Sequence, residues 1–173
     1  MDKCDALALH EAYVNGDLER IKYLLNDPPD FPNCRGPRGI GEIVLEYAIY
    51  HSFFAFIRTL LDLGADPNYG DHAGFPSLIA ALSTDRDDRL HVVELLLFYG
   101  ADIQQYGHNG YTPLHWAAAG DDVQAIELLI KNGADTTART LVDDHNTPEE
   151  EAELLNCQQA VTALQESVRK DQD

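Results

Sequence analysis

The chain has 173 residues, 45% of them hydrophobic, and 30 Asp and Glu stand against 12 Lys and Arg for a formal net charge of −18. The apolar share is enough for a core, so disorder is not expected. The acidity argues against direct nucleic-acid binding, because that affinity rests on Lys and Arg neutralising phosphates. The charge reads first as a solubilising surface, with steering of a basic partner as the alternative.

Cys4, Cys34 and Cys157 are odd in number, widely separated and match no metal-ligand or redox spacing. The N-terminus leads into no apolar run of signal-peptide length, and no stretch approaches the ~18 apolar residues of a membrane helix. The reading is therefore a reduced, soluble, cytoplasmic protein, monomeric, with no membrane association, no metal and no cofactor.

Along the chain the same apolar spacing recurs. From Leu9, offsets of 9, 12, 15 and 16 residues reach Leu18, Ile21, Leu24 and Leu25; from Leu45 they reach Phe54, Ile57, Leu60 and Leu61. From Leu78 the series is Leu90, Val93, Leu96 and Leu97, each three residues later, with the extra length in Ser83–Arg89. That polar stretch predicts a lengthened turn between two helices. From Leu114 the series is Val123, Ile126, Leu129 and Ile130. Spacings of three and four place these side chains on one helix face.

The second helices of the second, third and fourth units lead into a Gly-Ala-Asp triplet, Gly64-Ala65-Asp66, Gly100-Ala101-Asp102 and Gly133-Ala134-Asp135, at intervals of 36 and 33 residues. A fixed period of this size signals a stack of small units. Thr112 is expected to cap a helix that starts at Pro113, and Gly133 to end the following one in a left-handed conformation. Between the first and second units the chain is longer, through Pro28–Gly39, where Arg35 and Arg38 form the one locally basic tip. Sequence leaves open whether this is a partner-specific element or a tolerated insertion.

A fifth unit opens at Thr147-Pro148 with Glu149 at the anchor, and continues with Gln158, Val161, Leu164 and Gln165. Three of these five positions are polar where other units are apolar. The pair is thus expected to pack backward and present a polar outer face, as a terminal repeat must, with a last helix over about residues 158–169.

The segment Thr112-Pro113-Leu114-His115-Trp116-Ala117 and the recurring Gly-Ala-Asp resemble the ankyrin repeat, and the degenerate copies extend the resemblance over nearly the whole chain. The resemblance implies an all-α fold: an ankyrin-repeat solenoid of helix-turn-helix units joined by projecting β-turn or hairpin-like loops. The approximate units are 1–36, 37–70, 71–106, 107–141 and 142–173, forming a single domain over 1–173. Tetratricopeptide units also pair helices but lack the Gly-Ala-Asp connection.

The resemblance further implies a concave recognition surface made of turn tips and first helices. Positions that differ between units are the candidates for contact. His72 pairs with His108 by repeat position, and Phe75 with Tyr111; Asn109 lies between. Tyr111 reads equally as a binding or a packing residue, and Phe75 more as packing. Tyr50 and His51 are the bulky pair at the end of a first helix. Trp116 and Tyr47 stand two residues past their anchors, where other units have Glu11, Ala80 and Glu151. Because Glu occurs there, the position is expected to be poorly buried, making Trp116 and Tyr47 candidate anchors, with a seam-filling Trp as the alternative. His10 and His115 are expected to make hydrogen bonds between first helices. The acidic run Asp143–Glu153 reads as a solvated helix start.

Nothing points to catalysis. His10-Glu11 lacks the second His of a zinc-protease motif, since Val14 stands there, and Gly36–Gly41 has neither dinucleotide nor P-loop spacing. The functional expectation is a non-catalytic module that binds a partner protein through its concave face. The alternative is an acidic inhibitor or immunity-type protein occluding a basic enzyme or a nucleic-acid-binding surface; an ankyrin-fold enzyme stands last.

Overall fold

Five stretches that pair a small-residue helix with an amphipathic one become five helix pairs among the described residues, which are 3–35, 43–70, 75–142 and 145–170 of a computed structural model. They fall into two compact units. The first, residues 1–101, holds α1 (Lys3–Asn15), α2 (Leu18–Leu24), α3 (Val44–His51), α4 (Phe54–Asp62), α5 (Ser77–Leu82) and α6 (Arg89–Phe98). The second, residues 102–173, holds a 3-10 turn (His108–Gly110), α7 (Pro113–Ala119), α8 (Val123–Lys131), α9 (Pro148–Leu154) and α10 (Gln158–Lys170). The only β pairing among the described residues is an isolated bridge between Arg35 and Ile43.

The anchors are the core. Leu9, Leu45, Leu78 and Leu114 are all buried, as are Ile21, Ile57, Val93 and Ile126 on the second helices. The offsets 9 and 16 are mostly less buried: Leu18, Phe54, Leu90, Val123, Leu25, Leu97 and Ile130 are only half-buried, whereas Leu61 is buried. The repeated apolar stripe therefore has an inner line that packs and flanking lines that stay at the rim. In the first unit α1 packs on α3 and α3 on α5; in the second, α7 packs on α9 and α8 on α10. Ala12, Ala48, Ala81, Ala117, Ala118 and Ala152 are buried along these helices, where small side chains allow close approach.

The Gly-Ala-Asp triplet terminates α4, α6 and α8. Gly133 has φ +90°, its N–H donates to the Ile130 carbonyl at 2.9 Å, and the Ala134 N–H donates to the Leu129 carbonyl at 3.0 Å. This is the Schellman pattern, which satisfies carbonyls the helix leaves open. The same pair of bonds recurs at Gly64-Ala65 and Gly100-Ala101. After α2, Pro28 occupies the equivalent sequence position, and its ring fixes φ near −65°, so it cannot adopt that conformation. The ending moves two residues earlier: Asn26 and Asp27 take φ +64° and +47° and make the equivalent bonds to Tyr23 and Lys22.

The Asp of the triplet folds the tip. Asp66, Asp102 and Asp135 each accept from the N–H two residues on, at 2.8, 2.9 and 2.8 Å. Within the first unit, Asn33 clamps the next tip by donating to the Gly64 carbonyl at 2.9 Å and accepting from the Asp66 N–H at 2.7 Å. Asn68 donates likewise to the Gly100 carbonyl at 2.8 Å.

Thr112 caps α7 and Thr147 caps α9, each in a reciprocal capping box, with His115 and Glu150 as the returning side chains. In the fifth pair the polar anchor finds a polar partner, since Gln165 donates to Glu149 at 2.9 Å, while Ala152, Ala160 and Leu164 are buried. Gln158 and Gln159 are exposed.

Leu129, fully buried on α8, should lose about 2–5 kcal/mol on change to Ala. Gly110 combines φ +67° with a position where a Cβ would lie 2.4 Å from the Leu141 nitrogen. Gly133 has the same sign of φ with open space around it. Gly110→Ala should therefore cost more than Gly133→Ala, for which about 1–2 kcal/mol of backbone strain is expected; urea unfolding of both variants measures the difference.

Candidate protein-binding surface

In the first unit, the first helices present a row of rings. Tyr47 and Tyr50 on α3 are half-buried, and His51 at its last turn is exposed. The Tyr47 ring lies 4.6 Å from Tyr13 and 4.4 Å from His51, centroid to centroid. Its hydroxyl is hydrogen-bonded to His10 Nδ1 at 3.0 Å, and His10 sits edge-on to His51 at 5.1 Å. Tyr50 donates to Ser83 Oγ at 3.0 Å, and Ser83 in turn donates to the Ala80 carbonyl at 2.8 Å. Three first helices are thus laced together by the polar ends of aromatic side chains. Partial burial, together with the neighbouring His10, lowers the His51 pKa.

Arg86, in the lengthened turn Ser83–Asp88, was not singled out by the sequence. Its guanidinium donates to the Ile49 and Ser52 carbonyls at 2.8 and 3.1 Å and forms a two-pronged pair with Asp88. The three extra residues therefore deliver a cation to the carbonyl end of α3. The only sequence signal is a single Arg between acids in an insertion. The Arg86 pairing also holds the Asp88 carboxyl below its usual range.

Phe75 is half-buried, and its carbonyl accepts from the hydroxyl of buried Tyr69 at 3.1 Å. His72 lies outside the described residues, as do Arg38 and the Gly36–Gly41 segment. Cys34 is buried, and burial together with Asp30 pushes its thiol up to about 11, leaving it a protonated apolar group.

In the second unit His108 and Asn109 are exposed on the tip, where Asn109 takes φ +57°. Tyr111 is half-buried, its ring stacked on His115 at 5.7 Å and its hydroxyl donating to Glu151. Trp116 is half-buried on α7. Leu141 and Val142 are exposed apolar residues on the same unit's next tip, supported by Thr140, whose Oγ1 donates to the Val142 carbonyl and accepts from the Asn146 N–H.

Glu151 corrects the expectation that its position is poorly buried. It is only 7% exposed, and besides the Tyr111 bond it accepts from Asn146 Nδ2 at 2.9 Å. Two donors make burial of the carboxylate tolerable. Glu11, at the equivalent position on α1, is exposed. What a Glu tolerates there thus depends on the partners that reach it.

His115 is fully buried. The Thr112 N–H donates to its Nδ1 at 3.3 Å, so Nδ1 is an acceptor and the proton resides on Nε2, 3.0 Å from the Asn146 carbonyl. The ring is a neutral link from α7 to the loop before α9. Burial lowers its pKa, opposed by the Asn146 carbonyl and by Glu151. Among the described residues, no three His, Cys, Asp or Glu converge as a metal site would need, and no helix is long and apolar enough to cross a membrane.

This chain belongs to the ankyrin-repeat family: the profile described as "Ankyrin repeats (3 copies)" matches residues 77–173. It is similar to the palmitoyltransferase AKR1 of Lachancea kluyveri, 26% identical over 166 residues, and to the target of rapamycin complex 2 subunit AVO2 of Saccharomyces cerevisiae, 33% identical over 138 residues. The matches cover 76% and 78% of this chain but 22% and 32% of those proteins. The human neurogenic locus notch homolog protein 2 is 32% identical over 125 residues, 54% of this chain and 5% of its own length.

His115 favours the fold in its neutral form, so its contribution is complete above about pH 6.5, the ordinary imidazole value, and is lost as pH falls toward the lower folded value. Proton NMR should show the His115 ring titrating below the ordinary imidazole value of about 6.5. Replacing Tyr111 by Phe removes one donor from buried Glu151 and should cost about 1–3 kcal/mol in urea unfolding.

Proposed function

We propose that the chain is a non-catalytic binding module that recognises another protein through the exposed faces of its first helices and their adjoining tips. The observation that carries this reading is the division of labour among residues. The repeated letters are used internally, in helix ends, Asx turns, capping boxes and the buried anchors. Tyr47, Tyr50, His51, His108, Asn109 and Trp116 keep exposed or half-exposed surface that the scaffold holds in place. Rings fixed in advance lose little freedom on binding, and Tyr and Trp bury large areas per side chain. Phe75 in the first unit and Tyr111 in the second are proposed as more buried contacts, each within its own unit, and His72 is retained from its repeat position.

The family and the name of AVO2, a subunit of a complex, support action by contact with other proteins. We place this activity in the cytoplasm and assign it no cofactor. The formal charge of −18 supports the second reading, an acidic inhibitor that occludes a basic surface.

Immobilised chain should retain a partner from lysate, and the Tyr50→Ala/Trp116→Ala variant should retain at least about tenfold less, as expected for hot-spot aromatics, while circular dichroism shows that it still folds. Equal retention by both would remove these rings from the binding surface. If affinity for the captured partner collapses between low and high salt, charge mimicry is favoured; weak salt dependence favours recognition by shape.

A further inference from the structure

We infer that the ring row of the first unit, Tyr47, Tyr50 and His51, is a receptor for an arginine side chain of the partner. The inference rests on the binding reading above and names the chemistry of the partner.

The three side chains of the row are all aromatic and lie close together on one helix. The Tyr47 and His51 centroids are 4.4 Å apart and their planes tilted by 52°, while the Tyr50 and His51 centroids are 6.2 Å apart with a tilt of 47°. Rings inclined in this way offer more than one face to a planar group. The polar ends of both tyrosines are turned to neighbouring helices, Tyr47 to His10 and Tyr50 to Ser83. With these hydroxyls engaged, what the half-buried tyrosines have to offer an incoming cation is the ring itself, whose π system attracts positive charge.

The electrostatics have the same sign. Residues 1–101 hold 16 Asp and Glu against 8 Lys and Arg. Glu11, next in sequence to His10, is exposed, and so are Asp85 and Asp87 in the turn after Ser83. The cation near this end of α3, Arg86, is already paired with Asp88 and with two carbonyls, so it opposes an incoming charge only weakly. His51, with its lowered pKa, is neutral at pH 7 and offers a ring rather than a competing cation.

Arginine fits better than lysine. Its guanidinium is flat, weakly hydrated and able to stack on a ring while its N–H groups reach carboxylates at the edge. An ammonium is a strongly hydrated point charge that gains less from a set of tilted faces.

The test titrates the isotope-labelled full chain with N-acetyl-arginine methylamide, N-acetyl-lysine methylamide and the uncharged citrulline analogue, read by aromatic and amide NMR shifts. The arginine probe should move the Tyr47, Tyr50 and His51 ring signals and saturate at a several-fold lower concentration than the lysine probe, with the citrulline analogue silent. Tyr47→Leu should weaken the arginine response by about tenfold, the scale of a cation–π contact. Tyr50→Phe keeps the ring and should keep the response. His51→Leu serves as the second ring deletion if Tyr47→Leu fails to fold.

Equal responses to arginine and lysine, or shifts scattered over the carboxylates with the rings unmoved, overturn the inference. So does an unchanged arginine response in a folded ring deletion. These results leave the capture experiment untouched, because a partner can use the same surface without arginine. Conversely, ring shifts with arginine alongside unaltered capture by the Tyr50→Ala/Trp116→Ala variant would overturn the broader reading and, with it, the assignment of the bound arginine to a partner, leaving only a cation site on the rings.

Discussion

No helix pair in this chain can bury its own apolar side. A first helix of six to eight residues such as α3, α5 or α7 makes too few turns to be stable in water alone. Its anchor leucine is buried only because another first helix lies against it, α1 on α3 and α3 on α5 in one unit, α7 on α9 in the other. This dependence on neighbours governs the remaining features. It demands small residues along the contact and a helix end that returns the chain at a fixed geometry.

Each demand has a local solution built from few atoms. The left-handed Gly and its Schellman bonds set where the chain leaves a second helix, and the following Asp turns it back. Asn33 and Asn68 tie successive tips of the first unit through backbone carbonyls. The buried ring of His115 links α7 to the loop ahead of α9 through the Asn146 carbonyl. The final pair replaces an apolar anchor contact by the Gln165–Glu149 hydrogen bond, so its polar groups satisfy one another. Tyr47 and Tyr50 take part in the same scaffold, through His10 and Ser83, while keeping part of their surface exposed.

The fold was legible because it rests on short-range periodicities. The anchor spacing located all five helix pairs, and the Thr-Pro starts located the caps of α7 and α9. The shift of the helix end from Pro28 to Asn26 was written in proline's fixed φ, though only the hydrogen bonds show the two-residue retreat. The candidate surface was legible only as a list of unlike residues. Their exposure was not, because it depends on which other side chains arrive. Glu151 is buried since Tyr111 and Asn146 reach it from 40 and 5 residues away, whereas Glu11 at the same repeat position lies open. Arg86 likewise looked like part of a solvated turn until its bonds to carbonyls 37 and 34 residues earlier gave it a place.

By itself, then, the sequence determined the repeat, through its fixed period, and the helix pairs and their Gly-Ala-Asp ends, through residues within about four positions of one another and fixed backbone preferences. Tertiary structure alone decided which polar groups are buried, which nitrogen of His115 carries its proton and which rings are held at the surface. Those outcomes turn on hydrogen-bond partners from other helices. Desolvation makes a buried charge or imidazole acceptable only when those partners are in place, and no local pattern records them.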